Sequence, residues 1–240
     1  MNTFRDSAIV LRTYKLKESD RICVLLTESH GKVRAVAHGV RKTSTRLGAR
    51  LEALDEVDVQ VARGRGELAN VRQAEPRAGA PALRDDFARL SAALVLVEVA
   101  DAVTLEGHPD PEYFEMLGRA LRTLPTAPDP AVVTTAFLLK TLAHDGAAPV
   151  LDRCAGCGAD GPLVAFDFTE GGLLCPSCRR GRPVSAGAIA LMRRMLGGGL
   201  AQVLAEPSPV AAGEVAGLAV EAMEAHVGKR LRAARVVDAL

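Results

Sequence analysis

Two cysteine pairs, Cys154-Ala155-Gly156-Cys157 and Cys175-Pro176-Ser177-Cys178, stand 17 residues apart in a chain of 240 residues whose only other cysteine is Cys23. A two-residue spacer lets both sulfurs of a turn face one tetrahedral ion, and Gly156 and Gly158 free backbone N–H groups to point at the thiolates. Four thiolates leave no open coordination position, so the spacing favours one structural Zn(II) ion over a catalytic one. A redox dithiol needs only one such pair. Four-thiolate ligation alone also admits an iron–sulfur cluster. Cys154, Cys157, Cys175 and Cys178 are the candidate ligands, in an insertion at about 151–183 that has little core of its own. Residues 164–168 read as a short hairpin strand over the site.

Upstream the pattern has a period of two. Val57, Val59 and Val61 share one face of a strand, as do Val33, Ala35 and Ala37 after the turn Ser29-His30-Gly31, and Ile22, Val24 and Leu26. With 8–14 and 68–73 these make five strand candidates. They are broken at Glu18-Ser19-Asp20, at His30-Gly31, over a long 39–48 connection and at Gly64-Arg65-Gly66. Such punctuation predicts a small barrel, with an OB-type barrel as the leading candidate. After Pro76 the composition changes. Residues 81–105 are rich in Ala, Leu and Val and predict one long, mostly buried helix. Asp110-Pro111-Glu112 and Asp129-Pro130 carry cap signals for two helices, ending near Leu124 and before Gly146. Ser185 and Ser208-Pro209 start two more, and Gly197-Gly198-Gly199 stops the first of these. The expected chain is α+β: a five-stranded OB-type nucleic-acid-binding barrel at 1–78, then a mostly helical domain at 79–240 with an inserted four-Cys zinc ribbon.

Hydrophobic residues at 48% and charged residues at 25% exclude wholesale disorder. No apolar run approaches ~18 residues, so no membrane span or membrane partner is expected. The start lacks a basic-then-apolar leader, which predicts a cytoplasmic protein. The net charge of +1 conceals an asymmetry: residues 1–50 hold 11 Lys and Arg against four acids, leaving 19 basic and 25 acidic residues elsewhere. Residues 32–50 contain Lys32, Arg34, Arg41, Lys42, Arg46 and Arg50 with no Asp or Glu. A charge run is usually a solvated loop. Six like charges with no intervening acid repel one another unless an anion binds, so these six are the candidate DNA-binding residues, gripping phosphates. Aromatic residues are only 3%, with no Trp. Barrels that grip single strands tightly stack bases on aromatic rings. Here Phe4 reads as core or terminal packing, and Tyr14 is available to stack one base. Binding led by the backbone leaves bases free to pair, which suits annealing.

Other features point away from catalysis. Gly197-Gly198-Gly199 lacks a following GK[ST] and reads as a helix stop. Arg63-Gly64-Arg65-Gly66 reads as a hairpin turn. Cys23 sits within an apolar strand and reads as buried and inert. His30, His38, His108, His144 and His226 form no ligand-spaced pair, and no Ser/His/Asp or paired-carboxylate arrangement can be assembled. An enzyme is therefore not expected. Asp55, Glu56 and Asp58 read as strand-face residues rather than the metal-binding carboxylates of a nuclease. A zinc-stabilised OB-fold RNA-binding module, or an adaptor whose basic loop binds protein, are the competing classes.

The stretch from Ala8 to Tyr14, Glu18-Ser19-Asp20, Leu26-Thr27 and Gly31 through Arg41, the spacing from Leu47 to Leu54, and the ending His226-Val227-Gly228-Lys229-Arg230-Leu231-Arg232 together resemble the bacterial recombination mediator family RecO. The resemblance spans essentially the whole chain. It implies an N-terminal OB domain and a helical domain with a zinc-finger-like insertion, with DNA repair and homologous recombination as the setting. It further implies binding of single- and double-stranded DNA and annealing of complementary strands. RecR and the C-terminal tail of single-strand DNA-binding protein are implied as partners, and RecA indirectly, as the recombinase loaded on coated strands in the cytoplasm at the nucleoid. Carried onto this chain, Lys32, Arg34, Arg41 and Lys42 match the family's basic barrel positions, and the four cysteines match its metal ligands. Some family members lack those cysteines, which casts zinc as scaffolding. His38 departs from the pattern, since many relatives carry Lys there; a neutral or titrating group in place of one cation is expected to weaken binding slightly near neutral pH.

Overall fold

A computed structural model describes residues 2–40, 50–64, 66–78, 81–206 and 210–234. Five strands close a barrel: β1 (Asn2–Leu16), β2 (Asp20–Thr27), β3 (Gly31–Ala37), β4 (Glu56–Arg63) and β5 (Ala69–Ala78), in the order β1-β2-β3-β5-β4. Every pairing is antiparallel except β3–β5, which is parallel with Ala35 opposite Ala69. This is the barrel that the punctuation predicted. β1 runs well beyond the expected 8–14, because it serves two neighbours. Asn2 to Ile9 pair with β4, and Ala8 to Leu16 pair with β2, with a register irregularity between Val10 and Arg12.

The interior is filled by small and β-branched side chains. Val33, Ala35, Ala37, Val57, Val59 and Val61 point inward as their alternation requires, joined by Ala8, Val10, Val71 and Ala74. In β2, Ile22, Val24 and Leu26 share one face as their alternation requires, and that face is the outer one. The inward residues of β2 are Cys23 and Leu25, whereas Val24 and Leu26 lie on the other face and are still only 3% and 1% exposed. Helix α2 (Phe87–Val103) packs against β1, and Ile9 and Leu11 beside Val24 and Leu26 are buried as well. A strand buried on both faces loses its one-sided pattern. Burial pushes the Cys23 thiol up to about 11, in keeping with an inert core residue.

The single helix expected over 81–105 is broken. α1 (Pro81–Arg84) ends where Arg84 turns to the Asp55 carboxylate, 2.8 Å away, and to the Ala53 carbonyl. Asp86 then caps α2 by accepting from the Arg89 N–H at 3.0 Å. The other cap signals behave as expected. Asp110, Asp129 and Ser185 accept first-turn N–H bonds of α3 (Pro111–Thr123), α4 (Pro130–His144) and α5 (Ala186–Leu196). Gly197 to Gly199 stop α5 but also lead into a short α6 (Leu200–Ala205) that carries no cap signal in the sequence. Ser208-Pro209 lie outside the described residues, and α7 spans Ala212–Val227.

By packing, the chain divides into two compact units, Met1–Arg122 and Thr123–Leu240. The first contains the barrel, α1, α2 and nearly all of α3. The second contains α4 to α7 and a small sheet of β6 (Ala165–Asp167), β7 (Gly172–Leu174) and β8 (Arg182–Pro183), ordered β7-β6-β8. Among the described residues no helix is long and apolar enough to cross a membrane.

Candidate nucleic-acid interface and metal centre

The metal centre is assembled by local turns. Cys154 and Cys157 sit in a turn closed by the Gly158 N–H on the Cys154 carbonyl (2.8 Å), with Gly158 at φ +73°, a conformation that favours glycine. Cys175 follows β7, and a single 3₁₀ turn (Pro176–Cys178) returns Cys178 to the cluster. The β6–β7 hairpin expected over the site is present. Its turn is held by Asp167, which accepts from the Thr169 and Glu170 N–H groups and pairs with Arg180. The Glu170 N–H is the main reason the Asp167 carboxyl is held below its usual range.

The four sulfurs all lie within 4.8 Å of one another, and Cys157 and Cys175 are 3.8 Å apart. A tetrahedron with metal–sulfur bonds of about 2.3 Å has an edge of about 3.8 Å. The donor set therefore fits a tetrahedral ion in both spacing and softness. The electrostatics agree. The Cys175 N–H points at the Cys154 sulfur (3.4 Å) and draws that thiol down to about 6, while hydrogen bonds from the Cys178 thiol to Cys157, Cys175 and Cys154 push Cys178 up to about 12. Four thiolates crowd too closely to ionise together without a cation among them, and a bound ion must displace the remaining protons.

The basic run behaves differently. Lys32 and Arg34 alternate with the inward Val33 and Ala35, so both leave the outer surface of β3. Gly31, at φ +70°, admits a close approach: a Cβ there would lie 2.3 Å from the His108 carbonyl oxygen. The segment after α2 thus docks on the start of β3, with Lys32 N–H on the Leu105 carbonyl and Gly107 N–H on the Lys32 carbonyl. That docking brings acids to the cations. Lys32 Nζ donates to the Asp101 carbonyl at 2.7 Å and to its carboxylate at 3.2 Å, and the side chain is only 12% exposed. Arg34 is 43% exposed and lies 3.9 Å from Glu106. Arg50 donates to the Ala74 carbonyl and to Glu75 at 2.9 Å. Arg41, Lys42 and Arg46 lie outside the described residues, in the connection that leaves the barrel interior at Val40 and rejoins it at Leu51.

Magnitudes sort these pairs. An exposed ion pair contributes about 0–1 kcal/mol and exchanges readily for a phosphate. A mostly buried pair costs about 3 kcal/mol or more to break, since the abandoned charge stays desolvated. Arg34 belongs to the first kind and Lys32 to the second. Lys32 acts as a strut between β3 and α2.

Register adds two residues that lie outside the 32–50 run. Arg12, Val24 and Arg34 form one row across β1, β2 and β3, and Tyr14, Ile22 and Val36 form the next, with Asn70 of β5 beside Val36. Arg12 reaches the same Asp101 carboxylate at 2.5 Å, and its guanidinium lies 5.2 Å from the centre of the Tyr14 ring. Period-two counting back from Tyr14 was the available signal, but only pairing places Arg12 beside Arg34. His38, at the end of this surface, has Asp20 on one ring nitrogen (2.9 Å) and Asn70 on the other (3.0 Å).

Residues 1–80 match the family described as Recombination protein O N terminal, and residues 84–235 match Recombination protein O C terminal. The DNA repair protein RecO of Streptomyces avermitilis is 40% identical over 251 aligned residues, covering 99% of this chain and 100% of the relative. That of Thermobifida fusca is 40% identical over 99% of both chains, and that of Cutibacterium acnes 42% identical over 75% of both.

Proposed function

The chain belongs to the RecO family of DNA repair proteins, and from that premise we propose that it is a non-enzymatic recombination mediator that binds DNA by its phosphates and anneals complementary strands. Residues 1–78 are the DNA-binding domain in this reading, and 79–240 the helical domain with the metal-binding insertion. Arg34, Arg41, Lys42, Arg46 and Arg50 contact the backbone of single- and double-stranded DNA. Lys32 holds the strand that presents them. With RecR as partner, the protein engages the C-terminal tail of single-strand DNA-binding protein and helps load RecA on coated strands, acting at the nucleoid in the cytoplasm. One Zn²⁺ ion on Cys154, Cys157, Cys175 and Cys178 serves as scaffold, supplying no chemistry to the exchange of strands.

The observation that carries the reading is the pairing pattern on β3 and β5. Arg34 stands on an outer face with a weak, exposed counter-ion, and the residues flanking the connection that bears Arg41, Lys42 and Arg46 are both bonded to β5, His38 to Asn70 and Arg50 to the Ala74 carbonyl. Cations tethered there can shield two approaching backbones from each other while touching no base edge. Annealing of complementary strands by the Arg41→Glu, Lys42→Glu double variant is the test. A large loss is expected, together with a log–log salt slope near −3 to −4 for the unaltered protein. Unchanged annealing would refute the assignment of the basic run.

A further inference from the structure

Resting on the DNA-binding reading above, we infer that Tyr14, braced by Arg12, is a stacking post for one unpaired base, and that it gives the barrel a preference for single-stranded over duplex DNA. Tyr14 is 42% exposed on the outer face, a large aromatic ring left open to solvent. Beyond Ile9 the β1 strand has lost its β4 neighbour, so Tyr14 stands on a strand whose one side is unpaired at this level while β2 and β3 continue the sheet on the other.

Arg12 lies over the ring, and its guanidinium is fixed at the other end by Asp101. A cation held in this way keeps the ring in one orientation and polarises it. Ile22 and the buried Val36 continue the row beside the ring. At the far end of the adjoining row is Arg34, whose exposed pairing with Glu106 is a weak one; it lies two strands across and two residues along, which places the two Cα atoms about 12 Å apart. An extended single strand bridges that distance in about two nucleotides. A base on Tyr14 and a phosphate on Arg34 are therefore compatible contacts for one strand. A base within a duplex cannot reach an outward ring without being unstacked and unpaired, so the post acts on single strands alone.

The chain contains no Trp and two Tyr, and the second, Tyr113, is 1% exposed in α3. Tyrosine emission is thus a direct reporter of Tyr14. Titration of the full-length protein with oligothymidine and with a duplex of equal length, for the unaltered chain, Tyr14→Leu and Tyr14→Phe, tests the inference. Stacking predicts quenching by oligothymidine that Tyr14→Leu abolishes. It also predicts roughly tenfold weaker oligothymidine binding by Tyr14→Leu, near-full affinity for Tyr14→Phe, and unchanged duplex binding. Equal loss of oligothymidine and duplex binding by Tyr14→Leu would overturn it as a fold or phosphate effect. Unchanged oligothymidine affinity would overturn it while leaving the phosphate-binding reading intact. Failure of the unaltered protein to bind either form would sink both.

Discussion

Cys154, Cys157, Cys175 and Cys178 reach one another through two short turns and one hairpin, whereas Arg50 and Lys32 take partners 25 and 69 residues along the chain. Both groups read as clusters in the sequence. The thiolates are a cluster because the ligand spacing fixes the geometry and every sulfur wants the same ion. The cations are drawn together only by the sequence. Lys32, Arg34 and Arg50, the described ones, each pair with whatever acid the tertiary fold delivers, from α2, the segment after α2 and β5. Local chemistry therefore specifies the first site outright, while the second is divided by burial into a strut and a set of exchangeable contacts.

The sharpest way to break that contrast is to remove a thiolate. Cys154→Ala, or chelation of the metal, should release the ion and with it on the order of 10 kcal/mol of binding free energy that orders the insertion. Hydrogen exchange is expected to accelerate across β6 and β7, while the barrel amides keep their protection. Metal content should fall from one ion per chain. Retained protection in Cys154→Ala would mean that the small core of Leu174 and its sulfur neighbours holds the insertion alone.

Lys32 and Arg34 test the other half of the comparison, because they are adjacent on one face and differ in burial. Lys32→Ala leaves Asp101 paired with Arg12 alone and should lower stability by about 2–3 kcal/mol in urea unfolding, with little change in the salt dependence of DNA binding. Arg34→Ala should alter stability by no more than about 0.5 kcal/mol but reduce the magnitude of the salt slope on single strands by about 0.7. The reverse pattern would show that the ion pairs give way on binding and that burial does not sort these cations.

The legibility of the molecule follows the same line. The barrel was readable from Val57, Val59 and Val61 because one face meets the core and the other meets water. β2 was legible as a strand, with Ile22, Val24 and Leu26 on one face, but which face meets the barrel core was not, since Val24 and Leu26 are buried as deeply as Cys23 and Leu25 and a two-sided strand has no polar face to mark its phase. Caps at Asp110, Asp129 and Ser185 were readable because they act within one turn. The break at Asp85-Asp86 was not, because Arg84 leaves the helix for Asp55, about 30 residues upstream. The same distance effect hid Asp101 and Glu106 as counter-ions. It also hid the placement of Arg12, which depends on strand register rather than on any local motif.

The smallest expected effect concerns His38, where the two halves of the comparison meet: a residue in the basic region whose partners are geometrically exacting. Both ring nitrogens face oxygen atoms, so only the imidazolium donates to Asp20 and Asn70 at once. The Asp20 bond, then the Asn70 bond, raise the His38 pKa above its ordinary 6.5, with burial and the nearby Arg72 opposing. Asp20 is held below its ordinary 3.8, first by the Gly39 N–H and then by His38. A raised histidine contributes stability that is complete below its unfolded value of 6.5 and is lost as the pH climbs through the higher folded value. A lowered carboxyl contributes stability present above 3.8 and lost as the pH falls through the lower folded value. The two overlap from about pH 4 to about pH 6.5. His38→Gln should accordingly melt below the unaltered protein at about pH 6 and converge with it by about pH 9. Since Gly39 and Val40 lead into the basic connection, the same imidazolium adds a cation at its root. Oligothymidine affinity should then fall more between those two pH values for the unaltered protein than for His38→Gln. Parallel pH profiles for the two proteins would reduce His38 to a neutral hydrogen-bonding group that adds no cation at the root of the connection.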